Sequence, residues 1–113
     1  NHELTLLDGS KIKLRELSVL AFLMLKRRWS LQDKLTGLSN ELVGPLIVAY
    51  VLYEDEKMLI GLSDADFLSG VLNFGNKLKL EANSIKVLTG LMVEIAKNFS
   101  ETAEGVMEEA KTT

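Results

Sequence analysis

The stretch Leu42-Val43-Gly44-Pro45-Leu46-Ile47-Val48-Ala49-Tyr50-Val51-Leu52-Tyr53 is the most apolar part of this chain. Ten of its twelve side chains are hydrophobic, and no charged residue occurs before Glu54. A segment with apolar side chains in every direction cannot present one face to water without exposing several of them. We therefore predict that residues 42–53 form the central element of the fold.

Two secondary structures compete for this stretch. Its β-branched and aromatic residues would suit a buried strand. Gly44-Pro45 favours a helix, because proline is well placed in a first helical turn, where its missing N–H is not needed. We predict a helix from about Pro45 to about Lys57. The apolar run is too short to cross a membrane, which takes about 18 or more apolar residues.

Two alternating runs, Glu3–Leu7 and Ser10–Arg15, flank Asp8-Gly9. Asp-Gly between such runs is a strong hairpin signal, because a tight primed turn needs positive φ angles. We predict a β-hairpin over about residues 3–16 with four side chains facing inward: Leu4, Leu6, Ile12 and Leu14. Because an isolated hairpin is marginal, it must lie on the helices or pair with another chain.

The segment Glu16–Trp29 is predicted to be a helix, with Ser18 as a possible N-cap. One apolar stripe consists of Leu17, Leu20, Ala21 and Met24, and a second set consists of Val19, Phe22, Leu23 and Leu25. A helix that is apolar on most sides is either buried on two sides or exposed to a partner.

The rest of the chain is also mostly helical in pattern. Residues 30–38 suggest a short helix, and residues 58–62 an apolar connector. A third helix begins at the N-cap Ser63 and ends near Gly75-Asn76. The last helix opens at Asn83-Ser84 and carries the clearest three- and four-residue spacing, in Ile85, Leu88, Met92, Ile95 and Phe99.

These patterns predict a mainly α protein, a compact bundle of four to five helices with an N-terminal β-hairpin. We expect one domain over residues 1–113, with a helical core over residues 17–100. Beyond Ser100 the chain is rich in Glu and Thr, and we expect a flexible acidic tail over residues 101–113.

Charge is unevenly distributed along the chain. Residues 1–34 carry seven basic and four acidic side chains, a net charge of +3, whereas the remainder carries six basic and twelve acidic ones, a net charge of −6. Such polarity can orient a molecule against a copy of itself or a partner, although two solvated faces would show the same pattern. Cysteine is absent, which suits a reducing compartment, and no basic region precedes an apolar run at the start. We expect a cytoplasmic protein.

Residues suited to catalysis are few. His2 is the sole histidine, so a Ser-His-Asp site or a His-ligated metal would have to use it. The acidic groups Glu54-Asp55-Glu56 and Asp64-x-Asp66 could bind Mg²⁺ or Ca²⁺, but the spacing of a Ca²⁺ loop is absent, and a solvated helix end and a capping turn are the favoured explanation. We expect no catalytic residues, metal or cofactor, and therefore no enzyme; a metal-dependent enzyme using Asp64 and Asp66 is the weakest alternative.

Lys26-Arg27-Arg28-Trp29 is the strongest basic feature of the chain. Basic side chains beside an aromatic ring can contact phosphate and stack on a base, which suggests a small DNA-binding regulator using Lys26–Lys34. The acidic net charge argues against nucleic acid. The other interpretation is a helix end whose positive charge matches the helix dipole, with Trp29 covering the core.

The segment Leu4-Thr5-Leu6-Leu7-Asp8-Gly9-Ser10-Lys11-Ile12-Lys13-Leu14-Arg15-Glu16-Leu17 runs from a short hairpin with a basic second strand directly into the first helix. In this organisation, and in its helical remainder and acidic end, the chain resembles the tail assembly chaperones of long-tailed bacteriophages. The resemblance implies a non-enzymatic role in the host cytoplasm: coating the tape-measure protein, helping to recruit tail-tube subunits, and self-association.

The first helix independently favours a binding module. Its apolar side chains exceed what a monomer of this size easily buries beside residues 42–53 and the last helix. We therefore predict protein partners and a homo-oligomer, with a partner-binding surface formed by Phe22, Leu25, Lys26, Arg27, Arg28 and Trp29.

Overall fold

The computed structural model describes the backbone of residues 2–34 and 40–112, with side chains over residues 2–34 and 42–98. Two strands come first, β1 (His2–Thr5) and β2 (Lys11–Leu14). They are followed by α1 (Val19–Arg28), a 3₁₀ helix (Trp29–Lys34), α2 (Asn40–Tyr53), α3 (Glu56–Gly61), α4 (Asp64–Lys77) and α5 (Ala82–Thr112). In the described part of the chain these are five α-helices and a two-stranded antiparallel hairpin, so the predicted fold class is confirmed.

Helix α2 is the central element, as its sequence predicts. Side chains from Ile47 to Leu52 are all buried, so this part of the helix has no solvent-facing side. It contacts α1, α4, α5, β2 and the 3₁₀ helix. Continuous burial explains why the stretch lacks polar positions, and the helix rather than the strand is the structure it adopts.

The predicted bounds of α2 are wrong at both ends. The helix begins at Asn40, so Pro45 lies within it rather than in its first turn. A proline at that position cannot donate the backbone hydrogen bond to the carbonyl four residues earlier. The helix ends at Tyr53, and Asp55 starts α3 as an N-cap that accepts from the Lys57 N–H at 3.3 Å. The predicted connector at residues 58–62 is therefore mostly helix.

The hairpin pairs Leu4 with Ile12 and Thr5 with Lys11. Its turn is not the predicted two-residue primed turn, because Leu6 N–H donates to the Ser10 carbonyl at 2.8 Å across a three-residue loop. Within this loop Gly9 alone takes a positive φ, of 90°. A three-residue loop needs one left-handed residue, which glycine supplies, whereas a primed turn would have forced Asp8 into that region as well.

The hairpin lies on the helices rather than standing alone. Of the four side chains predicted to face inward, Leu4 and Leu14 are buried, Ile12 packs against the core and Leu6 is half-buried. Backbone hydrogen bonds from Leu7 N–H to the Lys77 carbonyl and from Lys79 N–H to the Thr5 carbonyl, both 2.8 Å, tie β1 to the segment after α4.

Other helix bounds depart modestly from the predictions. Ser18 caps α1 as predicted, its hydroxyl accepting from the Ala21 N–H at 3.1 Å, and Ser63 caps α4. The short helix predicted over residues 30–38 is a 3₁₀ helix over Trp29–Lys34, and residues 35–38 lie outside the described part. The backbone of α5 continues through Thr112, so the predicted end near Ser100 is wrong, while the flexibility expected of residues 101–113 stays a prediction.

Candidate protein-binding surface

The structure separates the residues predicted to bind a partner. Two are buried: Leu25 is 0% exposed and Arg28 is 4% exposed. Lys26 and Arg27 are exposed, while Phe22 and Trp29 are half-buried. The predicted surface is therefore wrong for Leu25 and Arg28, which belong to the interior of the protein.

The reason is the direction in which α1 faces the core. Ala21, Leu25 and Arg28 are the buried residues of this helix, and their spacing of four and three places them on one side. The predicted stripe included Leu20, which is exposed. The rest of that stripe was right, because Ala21 is buried and Leu17 and Met24 pack against the core. Arg28 was missed on the buried side because arginine usually prefers the surface.

Arg28 is held by three different contacts. Its guanidinium carbon lies 4.6 Å from the centre of the Phe67 ring. Nη2 donates to the Leu62 carbonyl at 2.5 Å, and Nε lies 4.0 Å from an Asp64 carboxylate oxygen. Burial lowers the pKa of Arg28, and the neighbouring charge of Arg27 lowers it further, against the effect of Asp64. Arg28 thus fixes the end of α1 to the start of α4.

Trp29 lies beside the central helix. A methyl group built at Gly44 would come within 3.5 Å of the Trp29 ring and 3.2 Å of the Met92 side chain. Trp29 therefore packs where α2 has no side chain, against the core. This position matches the interpretation in which the tryptophan covers the core at a helix end.

The exposed apolar side chains of α1 lie on its outer side. Val19 is 78% exposed and Leu23 is 54% exposed, one helical turn apart, with Leu20 next to them. Such side chains on successive turns form a continuous apolar strip.

Helix α3 lies beside α1 and runs in the same direction, and it too carries an exposed apolar side chain. The Ser18 hydroxyl at the start of α1 lies 3.2 Å from a Glu56 carboxylate oxygen, and Arg28 at its end bonds to Leu62. Ile60, one helical turn beyond Glu56 on α3, is 53% exposed.

The outer side of α1 changes from apolar to basic along its length. Lys26 and Arg27 follow Leu23 by three and four residues, so they continue the same strip. The helix itself contains no acidic residue. The α1–α3 surface is defined here as the six side chains Val19, Leu20, Leu23, Lys26, Arg27 and Ile60.

An open groove of about 500 Å³ adjoins this surface between α1 and α5. Its α1 side is lined by Leu17, Ser18, Val19 and Phe22, and its α5 side by Glu94 and Asn98. Val19 belongs to both the groove and the α1–α3 surface. A helix lying on that surface could therefore place side chains into the groove as well.

The acidic clusters have structural roles. Asp55 caps α3, and Glu56 lies 3.4 Å from the Arg15 guanidinium. Asp64 faces Arg28 in the first turn of α4. Within the described side chains, no three His, Asp or Glu residues are grouped as metal ligands. His2 lies 3.8 Å from Glu94 at the protein surface.

A second cleft, of about 290 Å³, lies between α2, α3, α4 and the hairpin. Its floor includes Tyr53 and Phe74, whose rings stack with centres 5.1 Å apart at 26°. Glu54 and Lys77 both contribute to its lining. One acidic and one basic side chain do not select a ligand of either charge.

Comparison with protein-family models, with curated proteins and with solved structures finds no match for this chain. No helix among the described residues is both long and apolar enough to cross a membrane.

The sequence contained a signal for this surface. The second apolar set of α1 included Val19 and Leu23, which are the exposed ones. Ile60 had no such signal, because its position beside α1 depends on where α3 lies in the fold.

Proposed function

We propose that this protein is a non-enzymatic binding and assembly module that binds an amphipathic helix of a partner protein on its α1–α3 surface. The observation that carries the proposal is the apolar strip of Val19, Leu23 and Ile60, exposed to solvent on adjacent helices. Burying such side chains against a partner is favourable by about 25 cal/mol per Å² of apolar area. The basic side chains beside the strip favour a partner with an acidic polar face.

The finer proposal is a role like that of phage tail assembly chaperones, acting in the cytoplasm on tape-measure or tail-tube proteins and self-associating. It is supported by the hairpin that leads directly into α1, the same organisation that carries the resemblance. An exposed apolar strip on two helices would suit a helical segment of such a client.

A direct binding test uses two fluorescein-labelled helical peptides with the same leucine stripe, one with an acidic and one with a basic polar face. Fluorescence anisotropy should show tighter binding of the acidic peptide, and Leu23→Lys should weaken that binding at least about tenfold. Val93→Lys is the matched control, since Val93 is 66% exposed on α5 outside the α1–α3 surface. Equal binding by Leu23→Lys and the unmodified protein would overturn the proposal.

The chaperone role is tested by coexpression with the central helical region of a tape-measure protein. The unmodified chain and Val93→Lys should raise the soluble fraction of that region, and Leu23→Lys should not. An unchanged soluble fraction with all three would remove the phage role while leaving the peptide result to stand by itself.

The alternative function, DNA binding through Lys26–Lys34, has less support from the folded protein than from the sequence. Arg28 is buried against Phe67, so it cannot reach a phosphate group. The exposed basic residues that remain are Lys26, Arg27 and Lys34. Salt-sensitive binding of duplex DNA that Lys26→Ala with Arg27→Ala abolishes would favour this alternative.

A further inference from the structure

We infer that the α1–α3 surface of one copy binds the C-terminal part of α5 from a second copy, so that chains associate head to tail. This inference rests on the proposed binding surface and names its occupant.

Helix α5 is far longer than the body of the protein is wide. It contains 31 residues, which corresponds to about 46 Å of helix at 1.5 Å per residue. The protein measures 55 × 29 × 28 Å. The last buried side chain of the described part of α5 is Ile95, and helical backbone continues to Thr112. About 21 Å of helix, residues 99–112, is long enough to lie along the whole of α1.

The apolar spacing of α5 also continues beyond Ile95. Leu88, Leu91 and Ile95 are the buried apolar residues of its described part, at steps of three and four. The same steps lead in the sequence to Phe99, Ala103, Val106 and Ala110, with Met107 beside them. The segment is therefore amphipathic at helical spacing, which is the form of ligand that an apolar strip on a helix pair accepts.

Charge complementarity favours residues 99–112 over an amphipathic helix with a basic polar face. Residues 99–112 contain four acidic side chains and one basic one: Glu101, Glu104, Glu108, Glu109 and Lys111. The α1–α3 surface carries the basic side chains Lys26 and Arg27, and the neighbouring acid Glu56 is paired with Arg15 at 3.4 Å. Opposite charges at the rim of an apolar contact favour this pairing and its orientation over pairing of two like-charged ends.

The two contacting surfaces differ, so the interface is heterologous. Each chain offers one α1–α3 surface and one α5 end, and association continues until a ring closes or a filament forms. An interface in which two α1–α3 surfaces met face to face would instead stop at a dimer and would bring Lys26 and Arg27 of both copies together.

The test is a complementation experiment on the full chain by analytical ultracentrifugation. The unmodified protein and Val93→Lys should form oligomers as concentration rises to about 1 mM, a range that detects weak contacts. Leu23→Lys, which damages the α1–α3 surface, and Val106→Glu, which damages the α5 end, should each be monomeric. An equimolar mixture of the two variants should form dimers and nothing larger, because one intact surface of each kind remains.

Circular dichroism must show that both variants retain the helical content of the unmodified protein; if Val106→Glu loses helix, Glu104→Lys with Glu108→Lys replaces it. A monomeric unmodified protein at the highest concentration would overturn the inference, as would a mixture that stays monomeric. Peptide binding to a strictly monomeric chain would retain the proposed function and reject only the self-association. If the unmodified protein neither binds the peptide nor self-associates, the proposed function and the self-association are both rejected.

Discussion

At the residue scale, Arg15 closes the C-terminal end of the central helix. Its side chain donates from Nε to the Leu52 carbonyl at 3.0 Å and from Nη2 to the carbonyls of Val51, at 2.6 Å, and Glu54. The last carbonyls of a helix have no partner within it and carry partial negative charge, so a guanidinium at this place both satisfies and neutralises them. The sequence predicts only a polar residue near the end of the second strand.

We expect Arg15→Met to lower the free energy of unfolding by about 2 kcal/mol, because the carbonyls of Val51 and Glu54 lose a charged donor. The Leu52 carbonyl keeps the bond from the Arg15 backbone N–H. Arg15→Lys should recover only part of this loss, since one ammonium cannot match the spread of guanidinium donors. Urea denaturation measures both. Lys13→Met, at an exposed position of β2, is the control and should change stability little; equal effects at the two positions would contradict the capping role.

Arg28 gives a second prediction at this scale. Lys26→Ala together with Arg27→Ala should leave the melting temperature nearly unchanged, because exposed charges at a helix end contribute about 0.3 to 1 kcal/mol each. Adding Arg28→Ala should lower it sharply, since it leaves a cavity beside the buried Phe67 and removes the donor from the part-buried Leu62 carbonyl. A triple variant as stable as the double variant would show that the Arg28 contacts contribute little.

Tyr50 should make the free energy of unfolding depend on pH in the alkaline range. Its burial raises the pKa of the phenol above its ordinary value, and the nearby Glu54 carboxylate raises it further, while Arg28 opposes the shift. Above about pH 10 the unfolded phenol loses its proton first, so ionisation favours the unfolded chain and stability falls as pH rises. Urea midpoints should therefore decline less steeply with pH in Tyr50→Phe than in the unmodified protein. Parallel declines would contradict the shift.

At the scale of elements, a helix or strand was predicted correctly where the local sequence alone determines its structure. Helix α2 was predictable because its side chains are apolar in every direction, and the hairpin because Asp8-Gly9 separates two alternating runs. Helix α3 was not, since six residues are too few to show helical spacing, and its start depends on the cap by Asp55. Part of the candidate site was predictable: Lys26 and Arg27 were identified from the sequence. The side of α1 that is buried was not, because it depends on the contact between Arg28 and Phe67.

The packing of α2 against α4 depends on a close approach at Gly70. A methyl group there would lie 2.1 Å from the Tyr50 hydroxyl oxygen, closer than two such atoms can approach. Tyr50 cannot easily move away, because its ring contacts both Phe67 and Phe74. The absence of a side chain at Gly70 therefore sets the distance between the two helices.

Gly70→Ala should consequently destabilise the protein by about 1 to 3 kcal/mol, the usual cost of overpacking a core. Gly90→Ala is the matched control in α5, where an added methyl group meets nothing within 4 Å. It should stabilise the protein by about 0.5 to 1 kcal/mol, because glycine is unfavourable inside a helix. Thermal unfolding separates the two effects by sign, and two changes of the same sign would contradict the described packing.

At the scale of the whole molecule, charge is unevenly distributed along the chain and apolar surface is exposed on its first helix. Basic residues concentrate in the first 34 residues and acidic ones in the remainder, and the exposed apolar strip lies on α1 and α3. Leu25 and Arg28 are buried and do not belong to the proposed partner surface. Its apolar side chains are instead the exposed Val19, Leu23 and Ile60. The central claim is that this strip is where another protein helix binds.

The measurement that tests this claim most directly is methyl NMR of the unmodified protein during titration with the acidic amphipathic peptide. Binding should shift the methyl signals of Val19, Leu20, Leu23 and Ile60 together, and leave those of Val93 and of the buried Val48 unchanged. Signals that shift in parallel over the titration would give one dissociation constant for the α1–α3 surface. Shifts confined to another part of the protein, or no shift at saturating peptide, would contradict the account.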